Sequence, residues 1–128
     1  IHTVQNTSFV SPGGVSAGPD GSIYVADTGR HRIRRISRSG RVTEVAGDGE
    51  AGFSGDNGPA TAARLNAPAA VLVAPDGRLW ISDRGNGRIR VVDTDGRIRT
   101  VLEALNDPAG LALDGSGALW IAELGRLR

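Results

Sequence analysis

Asp20-Gly21-Ser22-Ile23-Tyr24-Val25-Ala26-Asp27 returns 56 residues later as Asp76-Gly77-Arg78-Leu79-Trp80-Ile81-Ser82-Asp83, and after a further 40 residues as Ser116-Gly117-Ala118-Leu119-Trp120-Ile121-Ala122-Glu123. A proline ahead of each copy, Pro12, Pro68 and Pro108, keeps both offsets. Self-similarity at a period of this size marks a repeat architecture, in which one supersecondary unit buries its faces against its neighbours. The first unit is 16 residues longer than the 40-residue repeat, and the surplus falls between Val45 and Leu65. There Gly47-Asp48-Gly49-Glu50-Ala51-Gly52-Phe53-Ser54-Gly55-Asp56-Asn57-Gly58-Pro59 has no counterpart and reads as one long loop.

Within a unit, four short runs of β-branched and aliphatic residues are separated by Gly, Asp, Asn and Pro, the pattern of antiparallel strands joined by tight turns. The predicted strands a to d span 14–17, 22–27, 31–36 and 41–46 in the first unit, and 69–73, 78–83, 88–92 and 97–102 in the second. Asp-Gly at 20–21, 76–77 and 95–96, and Ser39-Gly40, supply the positive φ that hairpin turns need. Strand a is apolar at consecutive positions, as in Ala69-Ala70-Val71-Leu72-Val73, which is how a strand covered on both faces reads. The expectation is an all-β chain of four-stranded antiparallel propeller blades. Tyr24, Trp80 and Trp120 share one repeat position and read as filler between adjacent blades.

Length and composition agree with this. A chain of 128 residues fits one domain, and 19 Gly with 6 Pro imply many turns. The net charge of +1 gives no global pull toward nucleic acid or an anionic membrane. Without cysteine there is no disulfide, thiolate metal site or cysteine nucleophile, and no redox compartment can be inferred. No run of 18 apolar residues exists, and the first six residues are not a secretory leader, so the chain reads as soluble. The absence of Met suggests a processed product or an excised piece, and no compartment follows. All fifteen basic residues are Arg.

Ala26-Asp27-Thr28-Gly29-Arg30-His31-Arg32-Ile33-Arg34 and Ser82-Asp83-Arg84-Gly85-Asn86-Gly87-Arg88-Ile89-Arg90 resemble the core of NHL repeats, and the 46–66 segment is similar to the loop that many bacterial NHL proteins carry between blades. The resemblance covers nearly the whole chain and implies a propeller. For function it implies little, since NHL propellers serve as protein-binding, RNA-binding and sensor modules, and related ones include a metal-dependent lyase. On this reading residues 1–128 form one NHL-type unit: blade 1 at about 12–46, the inter-blade loop at 47–66, blade 2 at about 67–103 and blade 3 at about 107–128. Residues 1–4, Ile-His-Thr-Val, match Ile98-Arg99-Thr100-Val101 and read as an outer strand that completes blade 3. The order is then d-abcd-abcd-abc. Propellers typically have four to eight blades, so the expected partner is a second copy, giving a six-bladed homodimeric ring, or else the other blades of a longer parent propeller.

The residues expected to line the channel, Val15 to Ala17, Val71 to Val73 and Leu111 to Leu113, include nothing titratable, which counts against an enzyme. Two histidines do not make a three-His zinc site, and Asp48, Glu50 and Asp56 match no calcium-loop spacing, so no metal or other cofactor is expected. Asp27, Asp83 and Glu123 recur, as do Arg32 and Arg88 five residues on; a group needed in every blade is structural, and these should hold the b–c turn through carboxylate, backbone N–H and Arg. What does not repeat points to recognition. Arg30, His31, Arg84 and Asn86 of the b–c turns, Phe53 and Asp56 of the loop, and Arg126 fall on the one face shared by b–c turns and d–a connections, the expected binding face. Asp56 or Asn57 is expected to cap a short helix at 59–65.

The arginines at 30, 32, 34, 35, 38 and 41, with 88, 90, 97 and 99, read as a solvated outer edge. The function expected is a non-catalytic binding or scaffold module that takes a protein or small ligand on the loop face. A propeller enzyme of lyase or hydrolase type, or RNA binding through the arginines, are the alternatives.

Overall fold

The computed structural model describes residues 9 and 11–127. Strands β1 (Val15–Ala17), β2 (Ile23–Asp27), β3 (Arg32–Ile36) and β4 (Val42–Ala46) form blade 1 as an antiparallel sheet in chain order. Blade 2 repeats this with β5 (Ala70–Val73), β6 (Leu79–Asp83), β7 (Arg88–Val92) and β8 (Ile98–Leu102). Blade 3 has β9 (Gly110–Leu113), β10 (Leu119–Glu123) and β11 (Arg126–Leu127). Each full strand of the first two blades ends within a residue of the bounds expected from turn punctuation. The outer strand expected at residues 1–4 lies outside the described residues.

The two blade faces follow from register, because residues directly opposite in an antiparallel pair point the same way. Val71 faces Ile81 and Val73 faces Leu79, so these four share one side of blade 2; Leu72 and Trp80 share the other. The first side packs onto blade 1, where Ala26, Ile33 and Ala46 join Val71, Leu79 and Ile81 in one buried cluster with Tyr24 against it. The second side packs onto blade 3, where Ile89, Leu105 and Ile121 are buried with Trp80, Leu111 and Leu119 around them. Tyr24 and Trp80 thus fill the seams between successive blades. Each c–d pair carries the same bulge, after Ile33 and after Ile89, which leaves Val45 and Val101 without partners in the register; both valines pack against the clusters.

The prolines of the repeat are seam points. Pro68 and Pro108 are fully buried, and their carbonyls accept from the preceding blade, from Thr28 Oγ1 (2.7 Å) and Ser82 Oγ (2.7 Å). The residue before each proline, Ser11, Ala67 and Asp107, has φ of 50°, 48° and 52°, a left-handed conformation that costs a non-glycine residue energy.

The long loop departs from expectation. Its helical part is a single 3-10 turn, Ala60–Ala62, with Pro59 at the cap position and no side-chain cap; Asp56 is engaged elsewhere. Around Asn57 the loop runs along the outer edge of blade 2. The Asn57 N–H donates to the Ile98 carbonyl (2.7 Å), the Ile98 N–H to the Gly58 carbonyl (3.0 Å), and the Ala60 N–H to the Gly96 carbonyl (2.9 Å). A sheet edge that would offer unpaired backbone groups is covered by the chain itself. Ala60, Ala63 and Leu65 of the same loop are buried in the first cluster.

Candidate functional site

The two b–c turns are 3-10 turns, Thr28–Arg30 and Arg84–Asn86, each closed by a left-handed residue, His31 (φ 58°) and Gly87 (φ 60°). Strands alternate in direction, so these turns share a face with the d–a connections, and the structure stitches the two sets together. His31 Nδ1 accepts the Ala67 N–H (3.0 Å), the Gly85 N–H donates to the Asn66 carbonyl (2.7 Å), and the Leu105 N–H to the Gly87 carbonyl (2.9 Å). Arg84 forks onto Asp107, with Nη2 to Oδ2 at 3.0 Å, and holds that carboxyl below the ordinary carboxylate range. Asn86 Nδ2 donates to the Gly52 carbonyl (2.8 Å) and to Asp83 Oδ2 (2.8 Å). His31, Arg84 and Asn86, expected to meet a ligand, therefore spend these polar groups on joining consecutive blades. Arg126 opens β11, opposite Glu123 in the register, and Arg30 is half-buried at the end of its turn.

Beneath this face lies an ionic knot. Arg90 is fully buried; Nη1 donates to the Arg64 carbonyl (2.7 Å), and Nη2 donates to the Ser54 carbonyl (2.9 Å) and to Asp56 Oδ1 (2.8 Å), while Asp83 Oδ2 lies 3.6 Å from Nη1. Asp56 Oδ2 accepts in turn from Thr100 Oγ1 (2.7 Å), the engagement that keeps it from capping the 3-10 turn. Asp83, also fully buried, accepts the Asn66 N–H (2.8 Å). Burial pushes its carboxyl above the ordinary value, opposed by that N–H, by Asn86 and by the Arg90 guanidinium. The same plan recurs where Glu123 Oε2 accepts the Asn106 N–H (2.8 Å), and where Asp27 Oδ2 lies 3.5 Å from Arg34 Nη1.

This corrects the sequence reading on three points. The arginine paired with the repeated carboxylate stands seven residues on, Arg34 and Arg90, not five. Arg32 instead meets Glu44 (3.3 Å) and the Asp48 carbonyl (3.2 Å), and Arg88 meets the Asn86 carbonyl (3.2 Å). The backbone N–H taken by Asp83 and Glu123 belongs to the d–a connection, not to the b–c turn. Arg90 is not on a solvated edge. The outer arginines are mostly neutralised by neighbours, Arg35 by Asp20 (2.6 Å) and Arg99 by Asp93 (2.8 Å). In the loop, Asp48 takes the Glu50 N–H (2.9 Å) and Arg64 Nε (3.0 Å), in that order the causes that hold its carboxyl low.

Phe53 is different. Its ring stacks on two guanidinium groups, Arg88 at 3.9 Å and Arg90 at 4.9 Å from the centroid, yet the residue stays 42% exposed. A planar cation over an aromatic face is attracted by the ring quadrupole. Arg34 sits likewise over Phe9, at 5.1 Å, so the arginine that serves the carboxylate also holds an aromatic in both blades. The place of Phe53 in the inserted loop is legible in the sequence; its stacking on Arg88 and Arg90 has no short-range signal.

Comparison with known proteins bears on both fold and family. Residues 9–36 match the NHL repeat, and residues 43–93 match the teneurin NHL domain. Protein SUPPRESSOR OF QUENCHING 1, chloroplastic, of Arabidopsis thaliana is 37% identical over 83 residues, 64% of this chain and 8% of its own length. Human teneurin-4 is 38% identical over 86 residues, 57% of this chain and 3% of its own. The chain thus spans less than a tenth of the length of these curated relatives. Among solved structures, a streptogramin B lyase superposes with a TM-score of 0.70 at 17% identity, covering 95% of this chain and 38% of the lyase; at that identity the likeness is one of fold.

Proposed function

Because the chain is an NHL-repeat protein whose repeats fold as β-propeller blades, we propose that it works as a non-catalytic binding module, taking a protein or small ligand on the face of b–c turns and d–a connections with Phe53 as the anchor. The observation that carries this reading is the half-exposed Phe53 ring, fixed from below by Arg88 and Arg90 on a loop tied down at Gly52. A large apolar side chain already held in one place loses little freedom on binding, which is why rigid aromatics dominate interface energetics. The stitched turns around it make a stable frame, as recognition surfaces on repeat scaffolds require. The carboxylates of the face are engaged with arginines or backbone N–H groups, an arrangement suited to holding shape rather than to moving protons.

Selection of a phage-displayed peptide library on the immobilised protein tests the reading. Peptides enriched on the wild-type chain should lose at least tenfold in affinity for Phe53→Ser, with an unchanged circular dichroism spectrum as the folding control. Enriched peptides that bind the variant equally well, or no enrichment over a bare surface, would overturn it.

A further inference from the structure

The seam between blades 1 and 2 is stitched shut where the b–c turns meet the d–a connections, and it opens at the other end of the strands, where the a–b and c–d hairpins lie. There a cleft of about 390 Å³ enters between the blades. Sites for small molecules run from about 300 to 1,000 Å³, with a mostly apolar lining and a few placed polar groups. The floor here is Tyr24 and Val45 of blade 1 with Leu79 and Val92 of blade 2, the last two 5% and 7% exposed. One wall is Thr61, carried by the 3-10 turn of the inserted loop, which is anchored through the buried Ala60. Asp93 and Thr94, at the β7–β8 hairpin, form the rim. Tyr24 stands at the repeat position of Trp80, so this seam holds a phenol where the next holds an indole.

The charges at the rim are fixed and balanced. Arg99 forks onto Asp93, Nε to Oδ2 at 2.8 Å and Nη2 to Oδ1 at 3.3 Å; Arg78 Nε lies 3.2 Å from Asp93 Oδ1, and Arg78 Nη1 lies 3.8 Å from Asp76 Oδ2. Two guanidinium groups against two carboxylates leave no net charge for an ion to seek. The bonds from Arg99 hold Asp93 below the ordinary carboxylate range, so it is an acceptor at neutral pH. A carboxylate has about four lone-pair sites, and Arg99 takes two of them. The Thr61 and Thr94 hydroxyls are exposed and take no protein partner among the described residues; each both donates and accepts. We propose that this cleft binds a neutral sugar ring. A sugar has an apolar C–H face, which the Tyr24 ring and three aliphatic side chains cover, and hydroxyls that donate and accept, which a fixed carboxylate and two threonines meet in both directions. A wholly apolar molecule would leave those polar groups unpartnered, at a cost in affinity. The cleft lies at the end of the blades away from the b–c turns and Phe53, so it does not depend on the reading of that face.

Titration of the isotope-labelled chain with methyl glucoside, methyl galactoside and methyl mannoside, followed by amide NMR, tests this. At least one should give saturable shifts in the millimolar range, centred on Thr61, Gly77, Thr94 and Gly96. Asp93→Asn should weaken that binding at least fivefold. Thr61→Tyr, an exposed position where a larger side chain fills the cleft, should abolish it with the amide spectrum elsewhere unchanged, which keeps the test sound if Asp93→Asn unfolds. Lactose alongside methyl galactoside separates the sources: tighter binding assigns the cleft to a unit of a glycan chain, equal binding to a free sugar, and either upholds the proposal. Absence of shifts with all three glycosides would overturn it. So would sugar shifts that survive Thr61→Tyr, or shifts of the same amides by indole, inorganic phosphate or guanidinium at lower concentration than by any sugar.

Discussion

Replacing Arg90 by Met puts the most weight on the buried network. The side chain is fully buried and its guanidinium serves the Arg64 and Ser54 carbonyls, Asp56 and Asp83. Met fills much of the same space without a charge, so packing loss is the smaller effect. The larger one is that Asp83, fully buried, loses the guanidinium beside it while two carbonyls lose a donor. Removing one partner of a buried ion pair costs about 3–5 kcal/mol, because the remaining charge is neither solvated nor paired. For a chain of this length that lowers Tm by about 10–20 °C. The deficit should depend on pH with a definite sign. Burial already raises the Asp83 carboxyl above its unfolded value, and Arg90 opposes that rise. Without Arg90 the folded state holds the proton more firmly, so ionising Asp83 costs the variant more as pH rises from acid to neutral, and the deficit shrinks as pH falls. Urea unfolding followed by tryptophan fluorescence at pH 4.5 and pH 7, at one fixed protein concentration, measures both. Asp83→Asn in the Arg90→Met background should cost less than the sum of the single changes, as two partners of one interaction do. A loss below about 1 kcal/mol at pH 7, a deficit that grows on acidification, or strict additivity would refute the reasoning.

Two further outcomes follow from local geometry. The Asp20 carboxyl should titrate at about 2 by NMR, held down first by the Ser22 N–H and then by Arg35, so its stabilising contribution is complete above the ordinary carboxylate range and lost as pH falls toward 2. Arg35→Ala should raise that midpoint but leave it below the ordinary value, and a full return would show the N–H to be idle. Ala67, left-handed at φ 48°, should be replaceable by Gly with a gain of about 0.5–1 kcal/mol in thermal unfolding, since glycine adopts that conformation without the Cβ penalty; destabilisation would mean that the Ala67 methyl packs.

What the sequence disclosed and what it hid divide along physical lines. Strand ends were legible because Asp-Gly and Gly-rich turns act locally, and the seam residues Tyr24, Trp80 and Trp120 because a fixed period assigns them one position. The partner of Asp83 was not legible: the repeat points to Arg88, and the structure uses Arg90. Arg88 is the residue opposite Asp83 in the register, but its guanidinium turns to the Asn86 carbonyl while Arg90 reaches in. Side-chain torsions decide that, and composition carries no trace of them. Similarly the loop was recognisable as an insertion, yet its run along β8 rests on main-chain bonds to Gly96 and Ile98 that any residue types would make. Asp56 has the chemistry of a helix cap, but distant donors, Arg90 and Thr100, compete for it and win.

The inserted loop also makes the two seams unequal. Among the described residues the first cluster joins eleven buried ones, three of them, Ala60, Ala63 and Leu65, brought by the loop; the second joins three. In a repeat protein, stability is close to a sum of unit terms and nearest-neighbour coupling terms, so unfolding begins where coupling is weakest. Blades 1 and 2 with their loop should therefore behave as one cooperative block, and blade 3 as a looser tenant whose amides in β9 and β10 should exchange with solvent through partial opening while the block stays closed. An insertion recognisable in the sequence only as a break in the period sets the order in which the chain comes apart.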